Sequence, residues 1–263
     1  LARVDWKVLW VRAWAKQRFK FCMKQHQNCL TMIYKADQIQ AAVASICPEI
    51  RRRVECTVPA VSERALWWDL STCILSSQVP YPLAAAVADV LDRSELLLTQ
   101  KTHTRREEHI FEILSEPVNV QGRLRKYRFP SAKAAQLAMT HRRIHKTSNS
   151  LAELLDDFRT AEDARKWLVN NAPGLGPKQA SMFLRNVGLS YDLAILDRHV
   201  LEYMELLGLS SVHSRSVQSI SGYIDTEVVL RAHARDSDCP VGILDWAIWI
   251  VMRVVKQPKE KLI

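Results

Sequence analysis

A lysine and an aspartate nineteen residues apart are the side chains of this sequence best suited to chemistry. Lys178 follows a glycine-containing turn at residues 174–177, and Asp197 follows an apolar run at residues 193–196. An amine in the first turn of a helix lies near the positive end of the helix dipole, which favours a neutral nucleophile. A fixed carboxylate can stabilise positive charge that develops on a sugar as its base departs. The pair therefore predicts attack of an amine on a sugar carbon.

The turn before the lysine suits contact with a nucleic-acid backbone. Gly174 and Gly176 flank Leu175 and permit a tight turn that another chain can approach closely. Pro177 suits the first position of a helix, where free N–H groups favour a phosphate. Together with Gln179, the Gly174-Leu175-Gly176 turn is expected to hold the DNA backbone without reading its sequence.

Each of these residues also has a purely structural explanation, and the residues alone leave both open. A glycine turn joins many ordinary helix pairs. Lys178 could contact a phosphate without reacting. Asp197 is a good N-cap for a helix over residues 198–207, and one carboxylate can serve as both cap and catalyst. His199 fits packing or capping better than catalysis.

Composition points to a polyanionic partner and away from a membrane protein. The chain has 263 residues and a formal net charge of +9, which is typical of proteins that bind nucleic acid, although many basic proteins do not. Its six cysteines form no CxxC pair and no zinc-type spacing, so we expect reduced thiols. No apolar stretch reaches the roughly 18 residues of a membrane span. We expect a cytoplasmic protein that associates with the nucleoid when it binds DNA.

The elements that must position these residues are helices. Seven glycines, few alternating patterns and many three- and four-residue apolar spacings predict an all-α fold. Ser62 and Thr160 suit N-caps, and Thr104 with Glu107 forms a capping-box pattern. Pro48 is expected to end one helix, followed by an extended connector at residues 54–61. Helices are predicted at residues 35–50, 62–75, 83–91, 104–115, 131–144, 160–171, 198–207 and 242–255.

The hairpin segment resembles a known superfamily. Residues 167–204 are similar to the helix-hairpin-helix, glycine/proline-rich-loop, aspartate superfamily of DNA glycosylases. The run GPKQASMFLRNVG at 176–188, followed by AILDRH at 194–199, resembles the archaeal-type 8-oxoguanine DNA glycosylase/lyase branch. The resemblance implies that Lys178 is the Schiff-base nucleophile and that Asp197 is the essential carboxylate.

The resemblance also implies a domain organisation. It predicts a two-lobed helical fold in which a glycosylase domain at residues 62–263 carries the hairpin at 172–178 within an active-site segment at 171–207. The two ends of the chain are expected to form one lobe and the middle the other. Residues 1–61 are expected to form an N-terminal helical extension with an apolar stripe at Trp6, Trp10 and Trp14. The stripe suits docking on the main body, with a DNA-facing or partner-binding helix as the alternative.

Residues outside the hairpin are matched by position in the family. Ser77 and Gln78 lie where the family fills the gap left by a flipped base. Asp245, Trp246 and Trp249 are candidates for the base pocket, although the spacing of the two tryptophans also fits a buried helix face. In that branch the C-terminal end helps to read the oxidised guanine, and the tail of this chain differs.

The expected partner is double-stranded DNA that contains a modified base, with 8-oxoguanine as the first candidate. No metal or organic cofactor is expected, although hairpin carbonyls could hold a monovalent cation, and the protein is expected to act as a monomer. Two alternatives stay open. One is a glycosylase for a different, bulkier modified base in foreign DNA such as that of a phage. The other is a non-catalytic helix-hairpin-helix module that only binds DNA.

Overall fold

The structure, a computed structural model, describes residues 35–56, 62–99, 105–209 and 216–255. Within these ranges the chain forms eleven α-helices, one short 3-10 helix at Ser216–Gln218 and one two-stranded ribbon. The helices are α1 (Ala36–Glu55), α2 (Glu63–Leu75), α3 (Tyr81–Arg93), α4 (Arg106–Ser115), α5 (Pro130–Thr147), α6 (Leu151–Asp156), α7 (Ala161–Asn171), α8 (Pro177–Asn186), α9 (Arg198–Leu206), α10 (Ile220–Asp236) and α11 (Val241–Val255). None of the described helices is both long and apolar enough to cross a lipid bilayer.

The helices enclose two hydrophobic cores, which confirms the predicted two-lobed, all-α fold. The first core runs from Leu66 to Leu193 and takes its side chains from α2 to α8 and the loops between them. The second combines α1 with residues from Ala194 onward, including α9, α10 and α11. The ends of the described chain therefore share one lobe. The border falls between Lys178 and Asp197, so the two candidates for chemistry belong to different lobes.

The predicted helix starts are largely confirmed by their caps. Ser62 Oγ accepts a hydrogen bond from the N–H of Ala65 at 3.2 Å. Thr160 Oγ1 accepts one from Asp163 at 3.1 Å. Pro177 is the first residue of α8, as predicted from its missing N–H. Each cap satisfies an N–H group that the helix itself leaves unpaired.

The prediction that a helix ends near Pro48 is wrong, because α1 continues to Glu55. A proline inside a helix removes one N–H and frees the carbonyl four residues earlier, here that of Ala44. Both Pro48 and Ala44 lie on the exposed face of α1, where water can pair that carbonyl. On the opposite face Val43 and Ile46 are buried against α11 and hold the helix together. The predicted connector at 54–61 therefore begins inside the helix.

The helix α1 lies in the segment predicted to be an N-terminal extension, and it packs into the second core. The boundary at residue 62 stays a prediction. The start predicted at Ser131 is one residue late, since α5 begins at Pro130. The tryptophan stripe of the first segment, the cap at Thr104 and the tail at 256–263 lie outside the described residues.

The two-stranded ribbon is not among the elements predicted from the sequence. Strand β1 (Val118–Val120) pairs antiparallel with β2 (Arg123–Arg125). Gln121 and Gly122 both have positive φ, 53° and 81°, as a two-residue turn of this kind requires. The signal was present, because two alternating valines precede a Gln-Gly pair.

Candidate active site

The glycine hairpin joins α7 to α8 and belongs to the first lobe. Gly174 has a φ of +88°, in the left-handed region that favours glycine, whereas Gly176 is extended and caps α8. The N–H of Leu175 donates to the carbonyl of Ala172 at 3.0 Å. The Leu175 side chain is 4% exposed and packs into the first core, which holds the turn in place. The chain thus forms the tight helix-to-helix turn expected from its residues.

Helix α5 packs against the hairpin, a contact that the sequence did not predict. A Cβ at Gly174 would displace the side-chain amide of Gln136, which can move, so the positive φ is what requires glycine at this position. The ammonium of Lys133 donates to Gln136 Oε1 at 2.8 Å, and burial lowers the pKa of that ammonium. Arg143 donates to the carbonyl of Asn171 at 3.3 Å and so satisfies the end of α7.

Lys178 is the second residue of α8 and is half-buried. It follows the hairpin directly, beside the N–H groups that the first turn of a helix leaves without helical partners. Gln179, the next residue, is also half-buried. An anion bound at this helix start would therefore lie close to the amine-bearing residue.

Asp197 caps α9 and is held by its own backbone. Its Oδ1 accepts hydrogen bonds from the N–H groups of His199 at 2.8 Å and Val200 at 3.0 Å. Within the part of the chain that is described, Oδ2 accepts no hydrogen bond from the protein, and the side chain is half-buried. One oxygen thus fixes the carboxylate while the other is left to interact with a substrate. His199 is buried at the start of α9, which agrees with packing or capping.

The three residues before Asp197 are fixed by side chains of the second lobe. Three consecutive main-chain N–H groups donate to three buried side-chain oxygens. The N–H of Ala194 donates to Glu227 at 2.6 Å. The N–H of Ile195 donates to Asp245 at 2.5 Å, and that of Leu196 to the Tyr223 hydroxyl at 2.9 Å. A segment with every N–H paired in this way has little freedom, so the position of Asp197 is set by α10 and α11.

Asp245 also connects this segment to α8, the helix that carries Lys178. Its second oxygen forms an ion pair with Arg185, which lies on α8 seven residues, or two turns, after Lys178. Burial raises the pKa of the Asp245 carboxyl to about 7, although Arg185 and the Ile195 N–H both act to lower it. The side chain is 2% exposed. Its observed position is a buried link between the lobes, and contact with a base stays a prediction.

A second link joins both hairpin helices to the same segment. Arg165 on α7 and Glu227 on α10 form a two-bond ion pair at 2.9 and 2.7 Å, both fully buried. Arg165 also donates to the hydroxyl of Ser181 on α8 at 3.2 Å. Because Glu227 accepts the N–H of Ala194, this network connects α7, α8 and α10 to the chain that leads to Asp197. We define Arg165, Glu227 and Ser181 as the buried ion-pair network.

The two tryptophans proposed for the base pocket are partly covered by neighbouring side chains. Trp246 and Trp249 are half-buried and pack against the second core. Arg185 lies over the Trp246 ring at 5.5 Å and Arg253 over the Trp249 ring at 4.5 Å. These contacts agree with the packing explanation, and both side chains remain partly exposed.

Ser77 and Gln78 form the turn after α2. Gln78 is exposed and has a φ of +58°, a left-handed conformation that is uncommon for a residue with a side chain. Strained backbone of this kind clusters at functional positions. Ser77 is half-buried. The insertion of either side chain into DNA stays a prediction.

Among the described residues, no group of three or more His, Cys, Asp or Glu side chains could hold a metal ion. The expectation that catalysis needs no metal stays a prediction.

Comparison with known proteins identifies the family. The model of the 8-oxoguanine DNA glycosylase family (Ogg-HhH) matches residues 52–239. The chain is 32% identical over 209 residues to the 8-oxoguanine DNA glycosylase/AP lyase of Saccharolobus solfataricus, covering 77% of this chain and 92% of that protein. It is 30% identical over 189 residues to the enzyme of the same name from Sulfurisphaera tokodaii, covering 72% and 82%.

Solved structures share the fold. The 8-oxoguanine DNA glycosylase of Methanocaldococcus jannaschii superposes with a TM-score of 0.61 at 24% identity, covering 80% of this chain and 91% of that one. The same archaeal glycosylase/lyase in complex with DNA containing 8-oxoguanine gives a TM-score of 0.56 at 23% identity, covering 81% and 88%. The family match spans the hairpin, Lys178, Asp197 and the buried ion-pair network, and the chain belongs to the 8-oxoguanine DNA glycosylase family.

Proposed function

We propose that this chain excises 8-oxoguanine from double-stranded DNA and then cleaves the strand, acting as a DNA glycosylase with AP lyase activity. The observation that carries the proposal is the linkage of two elements from different lobes. The helix that starts at the hairpin carries Lys178, and two buried polar links hold the segment of Asp197 to that same helix.

The hairpin binds the DNA backbone in this proposal. The turn at Gly174 and the N-terminus of α8 offer main-chain N–H groups to a phosphate without reading the sequence. The target nucleotide must leave the stack, because its glycosidic bond is inaccessible inside a duplex. The exposed turn at Ser77 and Gln78 would then fill the space left in the stack.

Lys178 and Asp197 divide the chemistry between them. The amine nitrogen of Lys178 attacks the anomeric carbon, and the base departs with the electrons of the glycosidic bond. The nitrogen loses one proton to the departing base. The C1′–O4′ bond then breaks as the nitrogen lone pair forms the C=N bond of a protonated Schiff base, and O4′ takes up a proton from water. Loss of a proton from C2′ to water then drives β-elimination, in which the C3′–O bond breaks and the 3′ phosphate leaves. Asp197, with Oδ1 fixed and Oδ2 available, stabilises the positive charge on the sugar.

Both reacting groups come from one chain, so the protein is proposed to act as a monomer. The scheme uses an amine and a carboxylate and needs no added cofactor. A cation held by hairpin carbonyls would serve only to bind phosphate. The assignment of 8-oxoguanine rests on the family, since the tail at 256–263 that differs from the archaeal relatives lies outside the described residues.

Single-turnover excision from a panel of duplexes tests this function. Each duplex carries one modified base, and mass spectrometry identifies the released base. We expect release of 8-oxoguanine by the native protein and none by K178Q or D197N. The control K166Q removes an exposed lysine of α7 and should leave excision unchanged.

The other outcomes separate the alternatives. Release of a bulkier base in place of 8-oxoguanine would overturn the substrate and favour action on foreign DNA. Tight duplex binding without release of any base would overturn the enzyme and favour a binding module.

A further inference from the structure

The two-stranded ribbon presents one of its strands to solvent in a fixed position. Its turn is closed by Asn119, whose Oδ1 accepts a hydrogen bond from the N–H of Gly122 at 2.8 Å. Val118 is buried in the first core, and β1 packs against α3. Every residue of β2 is exposed. Because the ribbon is already ordered, little conformational freedom is lost when a partner binds β2.

The pairing of the two strands places two arginines on one face. Arg125 lies opposite Val118, and Arg123 lies opposite Val120. Directly paired side chains share a face of a sheet, so both guanidinium groups belong to the face that carries the valines. Leu124, between the two arginines, belongs to the other face and is 73% exposed. The two arginines of β2 therefore place their positive charge on the same face.

Acidic residues do not neutralise this charge. Among the described residues, neither Arg123 nor Arg125 forms an ion pair. The sequence has no acidic residue between Glu116 and Glu153. A guanidinium group can bind a phosphate through two parallel hydrogen bonds, and it keeps its charge at physiological pH. The two exposed arginines are thus suited to phosphate, the anion that a DNA duplex presents at regular spacing.

The ribbon lies beside the turn that is proposed to enter the DNA. Tyr127, two residues after Arg125, is buried, and its hydroxyl donates to the carbonyl of Leu75 at 2.7 Å. Leu75 ends α2, three residues before Gln78. A chain of two or three residues spans at most roughly 7–11 Å. The ribbon and the Gln78 turn are therefore neighbours, and a duplex bound at one of them lies near the other.

We propose that β2 is a second phosphate-binding element, in which Arg123 and Arg125 contact the DNA backbone beside the space filled by Gln78. The inference rests on the proposed function, because it takes duplex DNA as the partner. It adds two backbone contacts to those of the hairpin, and neither contact reads a base. The arginines act on the binding of the duplex and take no part in the reaction at the sugar.

The salt dependence of duplex affinity tests the ribbon. Fluorescence anisotropy measures this affinity in the K178Q background, so that the duplex containing 8-oxoguanine stays intact. The log–log slope changes by about 0.9 for each phosphate contacted, so R123Q/R125Q should lower its magnitude by about 1.8. Between about 50 and 200 mM salt, this variant should lose roughly 12-fold less affinity than its parent. R123K/R125K keeps both charges and should retain the parent slope.

Two controls separate the ribbon from the charge of the whole protein. K166Q/R235Q removes two exposed cations on α7 and α10. L124S changes the other face of β2 without removing a charge. Both controls should keep the parent slope. An unchanged slope in R123Q/R125Q would overturn the proposal, as would an equal decrease in either control or in R123K/R125K.

Excision measured with Lys178 present distinguishes this inference from the proposed function. Under these conditions R123Q/R125Q should raise the protein concentration at which excision is half-saturated. Excision of 8-oxoguanine by the native chain, together with an unchanged salt slope in R123Q/R125Q, would refute the ribbon and leave the glycosylase standing. A lower slope in R123Q/R125Q, with no excision by the native chain, would support the ribbon and refute the glycosylase.

Discussion

Replacement of Glu227 by glutamine is the perturbation that most sharply examines the buried ion-pair network. Arg165 is 0% and Glu227 2% exposed, so the variant leaves a guanidinium charge without its carboxylate in the protein interior. Removing one partner of a buried pair costs about 3–5 kcal/mol of folding free energy. Arg231 also lies 3.5 Å from Glu227, but it keeps Glu162 at 3.1 Å.

Urea unfolding followed by circular dichroism gives this free energy. We expect E227Q to lose about 3–5 kcal/mol, whereas E162A, which breaks a partly exposed pair, should lose at most about 1 kcal/mol. The double variant R165M/E227L should lose less than E227Q, because no buried charge is left unpaired. It still leaves the N–H of Ala194 without its acceptor, at about 1–3 kcal/mol.

The same variant should slow catalysis, because Glu227 positions the segment that leads to Asp197. We expect a lower single-turnover excision rate for E227Q at temperatures where it is fully folded, with DNA affinity close to native. A loss of stability below about 1 kcal/mol, or equal to that of E162A, would refute the argument from burial.

Three further predictions follow from single features of the fold. Burial raises the pKa of Asp245 from 3.8 to about 7, so its protonated form stabilises the fold. That contribution is complete below pH 3.8 and is lost as the pH rises through about 7. The unfolding free energy of the native protein should therefore fall relative to D245N over this range, and a difference independent of pH would contradict the assignment. G174A should destabilise by at least as much as G122A, because both positions have positive φ and a Cβ at Gly174 would also displace the end of the Gln136 side chain from Lys133. A clearly smaller loss for G174A in urea unfolding would contradict this reasoning. Duplex affinity should fall steeply with salt, with a log–log slope near −0.9 per phosphate contacted; a flat dependence in fluorescence anisotropy titrations would count against backbone binding.

The sequence was most informative where a function depends on adjacent residues. The hairpin, the start of α8 at Pro177 and the cap at Asp197 are all local, since turn and cap preferences act within a few positions. The two-lobed division followed from the resemblance. Lys178 and Asp197 could be chosen because their chemistry and their spacing were both visible.

The sequence was least informative where residues distant along the chain meet. Arg165 and Glu227 are 62 positions apart, and each occupies a buried helix position that the apolar pattern assigns to the core. Asp245 was recognised as a candidate, but its bonds to Arg185 and Ile195 could not be predicted from either neighbourhood. A charged residue on an apolar helix face was the available signal, and it does not identify the partner.

The length of α1 was underestimated for a related reason. Proline disfavours a helix locally, whereas the burial of Val43 and Ile46 against α11 is a tertiary effect that outweighs it. The position of Pro48 on the exposed face could be recognised only once the buried face was known.

Lys178 is proposed to form a covalent bond to the sugar, and borohydride trapping detects that bond. The native protein is mixed with a duplex containing 8-oxoguanine and reduced, and the cross-linked peptide is sequenced by mass spectrometry. We expect a single adduct on Lys178, none with K178Q, and a native yield with K166Q. An adduct of equal yield in K178Q, or one mapped to another amine such as the buried Lys133, would contradict it.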